Sequence, residues 1–181
     1  MKLGIYFGSF NPPHKGHLDV VNYLLAQEYV DKILIVPTLN YWDKQNLVNI
    51  SDRIAMLKYF ENKHIIIDTT HNKYIYTSEL MHALEKEYTD ELYLIIGADN
   101  IINFDKWKNY EELLNYPIII MNRDNVDINA YIKKYRQGHF IVIKDYPFIK
   151  VSSSMIREKL DIKYIDKRVL NYIKENHLYD K

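Results

Sequence analysis

The chain has 181 residues, 48% hydrophobic and 27% charged, which suits a single domain over 1–181 with a sizeable core and rules out a disordered polymer. Lys plus Arg is 24 and Asp plus Glu is 24, so no global field draws the chain to nucleic acid or an anionic membrane. There is no cysteine, which excludes disulfides, thiolate metal sites and thiol nucleophiles. No apolar run reaches the roughly 18 residues that span a bilayer. The apolar part of residues 1–7 is too short for a secretory signal, so a soluble, cytoplasmic protein is expected.

Short β-branched or aromatic runs recur at 3–7, 32–36, 64–68, 92–96, 117–121 and 140–143. Most are apolar almost throughout, as strands covered on both faces read. Helical patterns lie between them. Leu18, Val21, Leu24 and Leu25 recur at helical spacing after Gly16, and Ile54, Leu57 and Lys58 follow Ser51-Asp52, a pair able to cap a helix start. Leu80, Ala83, Leu84 and Tyr88 form a stripe after Thr77-Ser78, and a shorter helix is expected from about Asp105 through Leu113 and Leu114, before Pro117. Residues 152–160 and 166–177 read as two helices with no strand between them.

Strands alternating with helices imply parallel βαβ units with right-handed crossovers, and six of them fit a Rossmann-like, doubly wound, mainly parallel sheet with C-terminal helices. Ligands of such sheets sit beyond the carboxyl ends of the strands, at the switch in strand order. The chemistry is therefore sought just after Phe7, Val36, Asp68 and Ile96, and near Val151.

The stretch after strand one reads Gly8-Ser9-Phe10-Asn11-Pro12-Pro13-His14-Lys15-Gly16-His17. It is neither a Walker loop nor a GxGxxG fingerprint, which argues against P-loop ATPases and NAD-dependent dehydrogenases. Gly8 permits close backbone approach, and two prolines stiffen the turn. Gly16-His17 then opens a helix whose free N–H groups and dipole favour an anion. His14 and His17, three apart, can aim at one point, an arrangement suited to a phosphate gaining charge during transfer. A plainer reading has both rings bonded to turn backbone. A metal pair is disfavoured, since no Cys or carboxylate partner stands at ligand spacing.

Val151-Ser152-Ser153-Ser154-Met155-Ile156-Arg157 offers hydroxyls, helix-start N–H groups and a cation, either as a second anion site or as ordinary serine capping beside a solvated Arg. Gly97-Ala98-Asp99-Asn100 follows strand four; Asp99 can accept two ribose hydroxyls or cap the next helix.

The decapeptide resembles the GSFNPxHxGH opening of nicotinate- and nicotinamide-mononucleotide adenylyltransferases, members of the HxGH nucleotidyltransferase superfamily. The serine run is similar to their ISSTxIR motif, with Ser153, Ser154 and Arg157 in register. Gly97 and Asp99 resemble the GxD element, Tyr76-Thr77 the YT element, and residues 172–179 the C-terminal helix. The resemblance implies an adenylyltransferase joining a pyridine mononucleotide to the AMP part of ATP, in NAD biosynthesis. It implies His17 and His14 at the α-phosphate, and ATP contacts from Gly8, Ser9, Phe10, Lys15, Gly97, Asp99, Ser153, Ser154 and Arg157. Acceptor contacts are implied for Asn11, Lys44, Tyr76, Thr77 and Trp107, the last by stacking on the pyridine ring.

Mg²⁺ is expected between substrate phosphates, mostly water-ligated, with no dedicated protein metal site. The partners expected are ATP and a pyridine mononucleotide, with neither nucleic acid nor membrane; a homo-oligomer stays open. Two departures stand out. Phe7 occupies a position where many relatives have a second Gly. The loop 37–44 lacks the PPHK-like form of nicotinate enzymes, and its Tyr41 and Lys44, with Arg53 and Met56, are similar to some nicotinamide-type relatives. The acid is the expected acceptor. The amide, another phosphate substrate, and a nucleotide sensor without turnover are the alternatives.

Overall fold

The computed structural model describes residues 1–39, 47–159 and 162–180. Six strands form one sheet: β1 (Lys2–Gly8), β2 (Lys32–Pro37), β3 (Ile65–Ile67), β4 (Glu91–Gly97), β5 (Ile118–Met121) and β6 (Phe140–Ile143). All neighbouring pairs are parallel, in the order β3-β2-β1-β4-β5-β6. The six expected strands and the doubly wound sheet are therefore present, with edges shifted by a residue or two.

Alternation explains why these runs are apolar on both sides. Leu3, Ile5, Leu34, Val36, Leu92, Leu94, Ile96, Ile118 and Ile120 are buried on one face. Ile33, Ile35, Tyr93, Ile95, Ile119 and Met121 are buried on the other. The first face receives α3 (Thr77–Glu87), through Leu80, Met81 and Leu84. The second receives α1 (Lys15–Ala26), through Val20, Val21 and Leu24. A separate cluster joins Met56 of α2 (Ile50–Lys58) to Ile156 of α7 (Ser153–Lys159) and to Val169 and Ile173 of α8 (Lys167–Glu175). The two tail helices thus brace α2, beside the end of the sheet where the site is expected.

Two local expectations need correction. Asn49, not Ser51 or Asp52, precedes α2, and no side chain caps it; Asp52 instead accepts the Tyr172 hydroxyl at 2.7 Å. The short α4 (Ala98–Ile102) comes first, and the helix expected from Asp105 is split into a 3-10 turn (Phe104–Lys106) and α5 (Tyr110–Leu113). The break has a cause: Trp107 is extended and Asn109 is left-handed, with φ 55°, so no continuous helix can pass. A further short helix, α6 (Ile128–Ile132), has too few periodic residues to stand out in the sequence.

The chain runs outward from β1 to β3 and then crosses back to β4, on the other side of β1. That reversal opens a crevice between the carboxyl ends of β1 and β4. The decapeptide leaves β1 there, and Gly97-Ala98-Asp99 leaves β4.

Candidate active site

The plainer reading of the histidine pair, with both rings bonded to turn backbone, is what the structure shows. The Gly16 N–H donates to His14 Nδ1 at 3.0 Å, and the His14 N–H donates to His17 Nδ1 at 3.1 Å, so the two rings form a reciprocal cap on α1. A backbone N–H can only donate. Each Nδ1 is therefore an acceptor, and each ring carries its proton on Nε2. The rings stack, with centroids 3.7 Å apart and planes at 21°. The pair thus presents two Nε2–H donors in one place, at the start of a helix.

Burial first, and charge second, work against protonating either ring. Burial, with the nearby Arg123 guanidinium adding to it, pushes His14 down to about 3. Burial, His14 and Arg123 together hold His17 well below the ordinary imidazole value. An added proton would also occupy Nδ1 and break the cap. Both rings are neutral donors at working pH.

Gly16 is required by this packing. A Cβ there would lie 2.9 Å from His14 Cε1 and 3.0 Å from Val151 Cγ1. The rest of the loop supports the pair from beneath. Phe10, with φ 48°, is only 2% exposed and meets His17 edge-on at 4.8 Å. Its side chain has almost no surface to offer a nucleotide and serves His17 instead. Asn11, 3% exposed, accepts on Oδ1 from the Val48 N–H at 3.3 Å and the Tyr179 hydroxyl at 2.6 Å. Gly8 ends β1, the Ser9 carbonyl accepts from Arg53, and Lys15 pairs with Asp19 along α1 at 3.0 Å.

Across the crevice, Gly97 precedes α4. A Cβ on Gly97 would stand 2.6 Å from Asp99 Oδ1, so the glycine lets that exposed carboxylate fold back over the strand end. No side chain caps α4. Half-buried Trp107 is wedged edge-on against Phe7 at 6.2 Å and tilted against Phe104 at 5.4 Å. Tyr76 and Thr77 start α3, again without a side-chain cap. Lys108 lies 4.4 Å over the Tyr76 ring and 3.5 Å from Glu79, placing a cation beside that helix start. Lys44 and Tyr41 lie outside the described residues.

The start of α7 is tied to the histidine loop. The Ser153 hydroxyl donates to the Pro12 carbonyl at 3.0 Å. Arg157 donates from Nη1 to the Asn11 carbonyl at 2.9 Å and from Nη2 to Ser154 Oγ at 3.2 Å. The two motifs at opposite ends of the chain therefore meet.

Reading by strand ends missed Arg123 and gave Arg53 no structural role. Arg123 follows β5 and donates to the Val151 and Ile149 carbonyls at 2.8 and 3.2 Å, while its charge reaches both histidines. Extending the strand-end search to Met121 would have found it. Arg53, fully buried, donates to the carbonyls of Ser9, Thr38 and Val48 at 2.9, 2.7 and 3.1 Å; its Nη2 has no partner among the described residues. Nothing in a single sequence signals that burial. The position after β3 turned out differently. Asp68 accepts from the N–H groups of Thr70 and His71 and meets His71 Nδ1 at 2.6 Å, while His71 Nε2 meets Glu87 at 2.9 Å. Burial opposes charge on His71, but the two carboxylates outweigh it and raise its pKa. This cluster fastens the chain leading to Tyr76.

The cytidylyltransferase-like family matches residues 5–159. A nicotinate-nucleotide adenylyltransferase of Bacillus subtilis is 32% identical, the match covering 99% of this chain and 98% of that one. The chain belongs to the nicotinate-nucleotide adenylyltransferase family. A probable member from Acholeplasma laidlawii is 33% identical, over 98% and 97% of the two chains. The fold of a Plasmodium falciparum nicotinic acid mononucleotide adenylyltransferase, solved with NaAD, superposes with a TM-score of 0.80 at 24% identity, covering 99% of this chain and 97% of that one. Family membership thus agrees with the resemblance read from the decapeptide, the serine run and the GxD element. Within this family the stacked, neutral histidine pair lies where an adenylyl-transfer site is expected, at the strand-order switch.

Proposed function

We propose that the protein transfers the adenylyl group of ATP to nicotinate mononucleotide, giving deamido-NAD and pyrophosphate. The reading rests on the reciprocal cap, which leaves two neutral Nε2–H donors side by side at the switch crevice. A phosphate oxygen of the mononucleotide forms the new bond to the α-phosphorus of ATP. The bond from that phosphorus to the bridging oxygen breaks, and pyrophosphate leaves with the electron pair. No covalent enzyme intermediate is needed. The protein's task is positioning and charge stabilisation.

In this reading His17 and His14 donate from Nε2 to α-phosphate oxygens as charge builds there. Asp99 accepts ribose hydroxyls of the ATP, beside Gly97. Arg157 turns from the Asn11 carbonyl and the Ser154 hydroxyl to the pyrophosphate oxygens, a charge-assisted bond, with Ser153 and Ser154 at the same helix start. Lys15 and the main chain of Gly8 and Ser9 line the nucleotide side. Trp107 supplies a stacking face for the pyridine. Among the described residues no group of three or more His, Asp or Glu is placed to hold a metal. A Mg²⁺ carried by the substrates' phosphate oxygens and water would neutralise phosphate charge.

Arg157→Ala should raise the KM for ATP about tenfold while changing the KM for the mononucleotide far less, because a forked guanidinium grips phosphate oxygens. Arg157→Lys should recover only part of the loss. If the mononucleotide KM rises instead, the two phosphate sites are exchanged.

Acceptor choice follows from the start of α3. Its first N–H groups lack a side-chain cap, and the charge of Lys108 beside them is offset by Glu79 of the first turn, so the preference rests on the N–H groups. Such a site favours the acid through hydrogen bonds and the helix dipole. An amide presents N–H to donors or must turn to offer its oxygen alone. Donors left without a good acceptor cost roughly 1–3 kcal/mol, giving about tenfold to a hundredfold preference for the acid in kcat/KM. Chromatography of products from ATP with each mononucleotide separately tests both function and preference. Equal or faster use of the amide would overturn the acceptor assignment. Binding without turnover would favour a sensor.

A further inference from the structure

We infer that Tyr179, close to the C-terminus, is a positioning residue of the active site: its hydroxyl fixes Asn11 and thereby the loop that carries both histidines. The chain bends back after α8 to deliver it. His177 and Tyr179 adopt left-handed φ of 51° and 60°, which side-chain-bearing residues rarely adopt without surrounding contacts that hold them. The Leu178 N–H bonds to the Ile173 carbonyl at 3.0 Å, and Leu178 and Tyr179 pack on the cluster formed by α2, α7 and α8. This turn places the Tyr179 hydroxyl 2.6 Å from Asn11 Oδ1.

Asn11 is where three elements converge. Its Oδ1 also takes the Val48 N–H, from the segment just before α2, at 3.3 Å. Its carbonyl takes Arg157 Nη1, from α7, at 2.9 Å. The next residues are Pro12 and Pro13, then His14, so a shift at Asn11 passes through a stiff dipeptide to the cap. Tyr179 supplies the contact from the C-terminal turn. Burial raises its pKa, against the pull of Arg157 and Arg53, and the hydroxyl keeps the proton it donates. A phenylalanine would fill nearly the same space, but from this turn only the hydroxyl donates to the amide oxygen.

The activity arm of the test rests on the adenylyl-transfer reading; the spectroscopic arm does not. Tyr179→Phe removes the hydroxyl and keeps the ring. It should lower kcat about five- to twentyfold with both KM values within about threefold, since loss of near-attack geometry acts on turnover. The side-chain nitrogen NMR signals of His14 and His17, single Nε2–H tautomers in the wild type, should shift or broaden in this variant. Leu170→Ala, which weakens the same cluster from α8 and away from the turn, should lower Tm while leaving kcat and these signals unchanged. If the wild-type protein makes no dinucleotide, the histidine signals still decide the role of Tyr179. Signals that superpose on wild type overturn the inference. So does a Tyr179→Phe kcat within twofold of wild type, or one that Leu170→Ala reproduces.

Discussion

His17→Ala is expected to lower kcat by about a hundredfold to a thousandfold, the range measured when one preorganised donor to a developing oxyanion is removed. Two effects combine. The Nε2–H aimed at the α-phosphate is lost, and the His14 N–H loses its acceptor, so the remaining ring is less well held. His17→Asn separates them: its amide oxygen can still accept from the His14 N–H but cannot reach the phosphate as the imidazole does. A large loss with Asn and a somewhat larger one with Ala would assign most of the effect to the donor. Turnover within a few-fold of wild type in both variants would remove His17 from the mechanism.

The same ring carries a pH signature. Its folded pKa lies well below the unfolded value, so below about 6.5 the unfolded chain binds the extra proton. The contribution is fully present above that pH and is lost as pH falls toward the folded value. His17→Ala should therefore flatten the acid side of a Tm-against-pH curve. An unchanged slope would mean that the buried ring is not held neutral.

The pattern of the strands explains why the fold could be read in advance. Runs such as Lys32–Pro37 and Ile118–Met121 are apolar on both faces because helices cover both faces of the sheet, and that pattern is local in sequence. The histidine loop was legible for a similar reason, since all its chemistry lies within ten residues. What escaped depends on distant partners. Trp107 breaks the helix expected from Asp105 while packed against Phe7, a residue from β1, and no local propensity encodes that contact. Arg123 matters through its charge on a loop more than a hundred residues earlier. Phe10 and Asn11 carry motif positions, yet their side chains face inward, and a motif does not state which way its residues point. The two tail helices were visible as helices; that they close over α2 and return a tyrosine to Asn11 was not.

Arg53→Met should destabilise the protein by about 2–4 kcal/mol, one of the largest single losses open to this fold. The side chain is fully buried, and no carboxylate among the described residues pairs with it. It holds three carbonyls from three separate segments: Ser9 after β1, Thr38 after β2, and Val48 before α2. Methionine keeps similar length and apolar bulk but donates nothing. An orphaned buried acceptor costs roughly 1–3 kcal/mol, and three could exceed the expected total. Against this, the variant removes a buried charge, whose desolvation the wild type bears, so the net falls short of the sum. For a chain of this size the loss corresponds to a fall in Tm of roughly 4–16 °C. Arg53→Lys should recover less than half, because one ammonium cannot bridge carbonyls that a planar fork spans. The segments released are those framing the histidine loop and the approach to α2, so mononucleotide KM should rise in Arg53→Met even well below its Tm. A Tm within about 2 °C of wild type would show that the three carbonyls find other donors, and that the fork is not what holds these segments together.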